Sequence, residues 1–247
     1  MAAGQSCYLS VVIPVYNEER RLGKTLARLG DYFTAQSYTS EILVVDDGSS
    51  DRTVETAQGI GLNERLRVIR HEVNRGKGAA VRTGMAAAQG QFALFTDADL
   101  STPVEEVENF WPQFKAGYDV VIASRGLPES RIEVHQNKIR ETMGRTFNLF
   151  VRLLVVPGIH DTQCGFKMFS RRAVEDLFPR CQLDGWAFDV ELLALAQSLG
   201  YRVAEVPVRW INSPDTRLKA LSASTQMLFD LFRLRRRFKR NPKANPT

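Results

Sequence analysis

The sequence predicts an α/β fold whose mostly parallel central sheet carries helices on both faces. Two observations predict it. Short β-branched apolar runs recur along the chain, and stretches with helical periodicity lie between them. Runs that are apolar at nearly every position suit strands buried on both faces, and strand–helix alternation joins such strands in parallel. With 247 residues, 44% hydrophobic and 25% charged, the chain has the material for one large domain or two small ones.

The elements follow in order. Tyr8–Val15 reads as the first strand, and Glu18–Gln36 as the helix after it. Glu41–Asp46, Leu66–Arg70 and Phe92–Thr96 are the next strands, separated by helical patterns over Arg52–Gln58 and Gly78–Gln89. Pro103–Lys115 reads as a helix with Pro103 at its first position, where the missing N–H costs nothing. Asp119–Ala123 is a further strand. From about Arg125 the pattern changes to a basic, helix-like stretch with Arg131, Lys138, Arg140, Arg145 and Arg152. A glycine-containing loop over 161–167 follows. Asp189–Leu199 is a helix, Val203–Val208 the last strand, and Thr216–Arg240 one long helix. No repeat and no linker interrupts this order. The expected organisation is one domain over residues 1–215 and a C-terminal amphipathic helix with a basic tail over 216–247.

The charge is unevenly placed. The formal net charge is +5, yet Arg233, Arg235, Arg236, Arg237, Lys239, Arg240 and Lys243 stand beyond residue 232 with no acidic residue among them. Without these seven the body is at −2, which argues against a basic nucleic-acid-binding surface. Cys7, Cys164 and Cys181 are too few and too scattered for a disulfide framework or a zinc site and fit a reducing compartment. The N-terminus lacks the pattern of a signal peptide. The longest apolar stretch, 147–156, is far short of the roughly 20 residues that span a bilayer. A soluble or peripheral protein, cytoplasmic or on the cytoplasmic face of a membrane, is expected.

Ligands of doubly wound sheets bind beyond the carboxyl ends of the strands. There this chain places Pro14-Val15-Tyr16-Asn17-Glu18, then Asp46-Asp47-Gly48-Ser49-Ser50-Asp51, then Asp97-Ala98-Asp99-Leu100-Ser101-Thr102-Pro103. Carboxylates crowded on one rim repel, so a cation or a set of donors must compensate them. Asp97 and Asp99, one residue apart, suit Mg²⁺ or Mn²⁺ shared with substrate phosphates. Taken alone, the triplet reads better as a loop start and helix N-cap before Pro103; the second Asp pair on the same rim is what points to a diphosphate-plus-metal site. Asn74-Arg75-Gly76-Lys77-Gly78 precedes a helix, where glycines permit close approach and free N–H groups favour anions. It lacks the Walker spacing. His71, His135 and His160 show no metal-ligand spacing and read as exposed or loop residues.

In this order the motifs resemble glycosyltransferase family 2, most closely its dolichyl-phosphate (polyprenyl-phosphate) β-glucosyltransferase branch. Val12–Glu18, Val44–Asp51 and Asn74–Gly78 mark the wider family. Asp97–Pro103, Asp161-Thr162-Gln163-Cys164-Gly165-Phe166-Lys167 and Gly185–Leu193 look like the glucosyl branch. The resemblance implies the nucleotide-diphospho-sugar transferase (GT-A) fold. By position it assigns Pro14, Tyr16, Glu18, Asp46 and Asp47 to a uridine pocket with Lys77 nearby. It assigns Asp97 and Asp99 to the Mg²⁺ or Mn²⁺ on the donor diphosphate. Mannosyl relatives commonly carry Gln where this chain has Ser101, a weaker ligand. Arg125 and Arg140 match positions that hold the acceptor phosphate, and Arg217 one that closes over the donor.

The implied reaction is inverting transfer of glucose from UDP-glucose to a membrane-embedded polyprenyl phosphate. An ionised phosphate needs no general base, so Asp189, a base in relatives acting on hydroxyls, is expected to orient neighbouring groups. Leu218, Leu221, Leu228, Phe229, Leu231, Phe232, Leu234 and Phe238 make the last helix amphipathic. Its basic end is expected to meet an anionic membrane surface. Its apolar half could equally pack on the domain or on a homodimer partner. The competing expectations are another UDP- or GDP-sugar such as mannose, a hydroxyl acceptor, an inactive sugar-nucleotide sensor, and nucleic-acid binding through the arginine-rich tail.

Overall fold

The structure, a computed structural model, describes residues 7–62, 65–134, 138–211 and 220–239. Seven strands form the central sheet: β1 (Leu9–Val15), β2 (Ser40–Asp46), β3 (Leu66–Arg70), β4 (Phe92–Thr96), β5 (Val120–Ser124), β7 (Phe166–Ser170) and β8 (Val203–Pro207). Their order is β3-β2-β1-β4-β7-β5-β8. All pairings are parallel except those of β7, which runs antiparallel between β4 and β5. Strands β6 (Arg131–Val134) and β9 (Arg209–Ile211) make a separate parallel ribbon.

Period-two alternation sends each strand's apolar side chains to both faces. Val12, Leu43, Val45, Phe95 and Ile122 pack under α3 (Lys77–Ala87), α6 (Arg171–Leu177), α7 (Phe188–Ser198) and α8 (Ala220–Lys239). Their neighbours Val11, Ile13, Ile42, Val44 and Val121 pack under α1 (Leu22–Thr34) and α2 (Thr53–Gln58) on the opposite face. The predicted doubly covered sheet is therefore present.

Three local readings change. The segment 161–167 ends as a strand, because Phe166 to Phe169 are buried and register Thr96 opposite Phe166. Lys167 within that run hid it from a hydrophobicity pattern. The stretch Pro103–Lys115 is split into a 3-10 turn over Val104–Asn109 and the short α4 (Trp111–Lys115). The first helix begins at Leu22, because Asn17 adopts a left-handed φ of 55° that turns the chain off β1.

The long basic helix α5 (Lys138–Leu154) packs against α8. Leu231 and Leu234 of α8 are buried in the core while Leu228, Phe229 and Phe232 face outward. The last helix is thus part of the body's packing, with a second apolar face left exposed. Among the described residues no helix is long and apolar enough to cross a membrane.

Candidate active site

The strand order reverses direction between β1 and β4, since β2 and β3 lie on one side of β1 and β4 on the other. The carboxyl ends of β1 and β4 therefore flank a crevice, the place where doubly wound sheets bind ligands. Asp97 and Asp99 follow β4 directly, and Tyr16 follows β1. Because β7 is antiparallel, the loop that precedes it arrives at the same rim.

Asp97 sits closely against this loop. Its N–H donates to the Gly165 carbonyl at 3.2 Å, and a Cβ on residue 165 would lie 2.0 Å from the Asp97 Oδ2. Only glycine leaves that carboxylate its place. The next turn is strained: Leu100 holds a φ of 46°. Such a conformation costs on the order of 1–3 kcal/mol and persists only where surroundings enforce it. Here the Asp99 Oδ1 accepts from the Ser101 N–H at 3.0 Å, and the Ser101 carbonyl accepts from the Ile211 N–H of β9 at 2.7 Å.

Lys77, at the start of α3, reaches across to Asp97 with an Nζ–Oδ1 distance of 2.6 Å. Its ammonium also lies over the Trp186 ring at 5.3 Å. Burial opposes its charge, but Asp97, Asp189 and Asp99 outweigh this and raise its pKa. Lys77 is thus a fixed cation on the acidic rim. Arg21 approaches the Asp99 Oδ2 at 3.8 Å and pairs with Glu18 at 2.6 Å.

The chemistry of this donor set fits a divalent cation. Asp97 and Asp99 are hard oxygen donors, the Gly165 cradle leaves the Asp97 carboxylate exposed, and Mg²⁺ typically takes one or two carboxylates plus substrate phosphates. Among the described residues no group of three His, Cys, Asp or Glu side chains converges.

Asp46 and Asp47 are buried and already engaged. Asp46 accepts from the Ser49 N–H at 3.2 Å and pairs with Arg70 at 3.3 Å. Asp47 accepts from the N–H groups of Arg75 at 2.9 Å and Gly76 at 2.8 Å. They fix the two loops beside the crevice, whereas Tyr16 is half exposed at its mouth. Pro14 stands one residue before the end of β1, and Glu18 lies in the turn toward α1. His71 lies in the loop just past β3, as read, but it is not exposed: it is buried between Asp47 Oδ1 at 2.7 Å and Thr83 Oγ1 at 3.0 Å.

Arg125 follows β5 on the same rim, but one edge of its guanidinium is taken. Its Nε donates to the Asp161 Oδ2 at 2.6 Å and its Nη2 to the Oδ1 at 3.0 Å. Trp210 lies beneath it at 5.4 Å. Burial opposes ionisation of Asp161, yet the Arg125 cation holds its pKa down at about 2. Arg125 is therefore held in a rigid clamp. Arg140 is on α5 with its side chain outside the described residues, as are Arg217, His135 and residues 240–247.

Asp189 is buried and pairs with the fully buried Lys167, whose Nζ also donates to the Cys164 carbonyl at 2.6 Å. Burial pushes the Asp189 carboxyl above its ordinary value, against the pull of Lys167 and Lys77. Asp161 and Lys167, the partners that hold Arg125 and Asp189, had no role in the sequence reading. Both stand in the motif over 161–167, and a lysine inside an otherwise apolar strand is the signal for a buried ion pair.

Comparison with known proteins gives the family and the fold. The profile described as Glycosyl transferase family 2 matches residues 10–178. A dolichyl-phosphate beta-glucosyltransferase of Dictyostelium discoideum is 36% identical over 94% of this chain and 75% of its own length. The human protein of that name is 36% identical over 93% and 75%. Among solved structures, glucosyl-3-phosphoglycerate synthase of Mycobacterium tuberculosis, in complex with Mn²⁺, UDP and phosphoglyceric acid, superposes with a TM-score of 0.71. It is 20% identical over 93% of this chain and 78% of that one. A mannosyltransferase of Pyrobaculum calidifontis with GDP-Man and Mn²⁺ gives 0.63 at 21% identity, over 98% and 67%. The two structures share the GT-A fold with this chain.

Proposed function

Since this chain belongs to glycosyl transferase family 2, in its dolichyl-phosphate β-glucosyltransferase branch, we propose that it moves glucose from UDP-glucose to a polyprenyl phosphate such as dolichyl phosphate. The observation that carries this reading is the carboxylate pair Asp97 and Asp99 at the switch point, faced by Lys77. Similarity to the dolichyl-phosphate enzymes over nearly the whole chain supports the choice of substrates.

In this reading the nucleoside lies at the end of β1 beside Pro14, Tyr16 and Glu18, with Asp46 and Asp47 acting through the loops they hold. Asp97 and Asp99 would hold Mg²⁺ or Mn²⁺, which as a Lewis acid would stabilise negative charge on the departing UDP. Lys77 adds a fixed cation on the same side, and Arg217 is proposed to close over the diphosphate. Arg125 and Arg140 neutralise and orient the incoming phosphate, since arginine binds phosphate through paired donors. An acceptor phosphate oxygen forms a bond to the anomeric carbon as the bond to UDP breaks, its electron pair leaving with the diphosphate. The configuration inverts. The phosphate oxygen carries no proton to remove, and Asp189 is spent on Lys167, so the step uses no general base.

The acceptor's polyprenyl chain is embedded in a membrane. Leu149, Phe150 and Leu153 of α5 and Leu228, Phe229 and Phe232 of α8 are exposed on two helices that pack together. Arg233 and Arg236 stand beside them, exposed, which suits an anionic lipid surface. The protein is proposed to rest on the cytoplasmic face of the membrane through these helices. A panel of UDP-glucose, UDP-galactose and GDP-mannose, each offered with polyprenyl phosphate, tests the donor. Transfer from UDP-glucose well above the others is expected; preference for GDP-mannose would overturn the assignment.

A further inference from the structure

Arg237 is one of the seven cations beyond residue 232, yet unlike the exposed Arg233 and Arg236 its side chain turns toward the body. It pairs with Glu191, a fully buried carboxylate on α7, and its Nη2 donates to the Arg180 carbonyl at 3.0 Å. Glu191 spends its remaining acceptor capacity on a loop. The Gln182 N–H donates to it at 2.9 Å and the Leu183 N–H at 2.7 Å. The next residue of that loop caps the helix that carries Lys77: the Asp184 carbonyl accepts from the N–H of Gly78 at 2.7 Å and of Ala79 at 3.3 Å. The fit is close, because a Cβ on residue 78 would lie 2.6 Å from the Leu183 carbonyl. Arg82 of α3 ties back to the Asp184 carboxylate.

These contacts form one unbroken series from the C-terminal helix to the rim of the crevice. We infer that Arg237 is a positioning residue for the donor-binding loop: it neutralises Glu191, Glu191 fixes 182–184, and 182–184 sets the start of α3 from which Lys77 reaches Asp97. The physical reason is asymmetric. A buried carboxylate with its cation and two amide donors is stable, whereas the same carboxylate without the cation is not, and it draws water or moves. Either response displaces the amides it holds. The helix that carries the exposed apolar face is thus mechanically joined to the site, so what α8 rests on bears on how Lys77 is held.

This inference rests on the reading of Lys77 as a donor-diphosphate contact, and the test separates the two. In the full-length protein, Arg237→Gln, Arg237→Lys and the double change Glu191→Gln with Arg237→Gln are compared by steady-state kinetics and by amide hydrogen exchange. Arg237→Gln should raise the KM for UDP-glucose by roughly 3- to 20-fold, the range expected for coupling through a packed network, with a smaller change in kcat. Exchange at Leu183, Gly78 and Ala79 should speed up. Arg237→Lys should recover most of the loss, and the double change should be milder than Arg237→Gln because it removes the stranded charge. Unchanged exchange at 78–79 and 183 in Arg237→Gln would overturn the inference, as would faster exchange with an unaltered KM. If the wild-type protein fails to use UDP-glucose, the proposed function falls, while the exchange data still decide whether Arg237 holds the loop.

Discussion

Lys167 lies wholly buried, its ammonium 5.2 Å from the centre of the Phe95 ring, and its charge is tolerated because Asp189 and the Cys164 carbonyl meet it. Removing one partner of a buried pair strands the other, at roughly 3–5 kcal/mol. Asp189→Asn should therefore lower stability by about that amount in denaturant unfolding. In the transfer reaction it should reduce turnover less than Asp99→Ala, with a flat pH–rate profile near neutrality. A loss governed by one carboxylate pKa would mark Asp189 as a base. The Arg125–Asp161 clamp makes a different prediction. Asp161 falls from an ordinary 3.8 to about 2 in the folded protein, so its ionised form favours folding by roughly 2 kcal/mol. That contribution is complete above about pH 4 and is lost as pH falls through 2. The stability gap between wild type and Asp161→Asn should narrow over this range and stay constant above it. At this scale the sequence showed Asp97, Asp99, Asp189 and Arg125 as types and positions. It could not show what occupies them, because Asp161 lies 36 residues from Arg125 and Lys167 lies 22 from Asp189, and only the fold pairs them.

Among the elements, β7 was the least legible. Three buried apolar residues around a lysine look like a loop until β4 and β5 supply edges for them to pair with, and no local pattern reports an antiparallel insertion into a parallel sheet. Its consequence is functional, since the reversed direction brings Gly165 against Asp97. Gly165→Ala should displace that carboxylate while leaving the sheet intact. The expected result is a steep loss of metal-stimulated transfer with a melting temperature close to that of wild type. Normal activity would show that the Asp97 position is not critical. Helix α8 was legible as an amphipathic helix, but not the division of its apolar residues between core and exterior. Leu231 and Leu234 anchor it, whereas Phe229 and Phe232 remain outside. Replacing Phe229 and Phe232 with Ser should weaken sedimentation with anionic liposomes and leave UDP-glucose binding unaltered. Undiminished sedimentation would remove this face from the membrane contact. Shortening the chain after Phe232 is a poorer test, since it also removes Leu234 and Arg237, which pack on the body.

For the whole molecule, strand–helix alternation was enough to foresee a doubly covered, mostly parallel sheet with its ligand crevice at the carboxyl rim. Four of the seven sheet strands, β1, β2, β4 and β5, are apolar and buried through their centres, as a parallel strand covered on both faces should be, whereas β8 alternates buried Ala204 and Val206 with half-buried Val203, Glu205 and Pro207. The order of strands, and so the position of the reversal between β1 and β4, came only with the structure. The charge distribution gained meaning in the same way. In the proposed function, the acidic rim faced by Lys77 and Arg125 would hold a diphosphate donor and a phosphate acceptor together. In the basic C-terminal segment Arg233 and Arg236 are exposed, whereas Arg237 turns inward. The most direct test of this account is the initial rate of glucose transfer from UDP-glucose to polyprenyl phosphate, measured beside the same lipid bearing a free hydroxyl. The account predicts transfer to the phosphate alone, at a rate insensitive to pH near neutrality. Transfer to the hydroxyl lipid, or none to the phosphate, would contradict it.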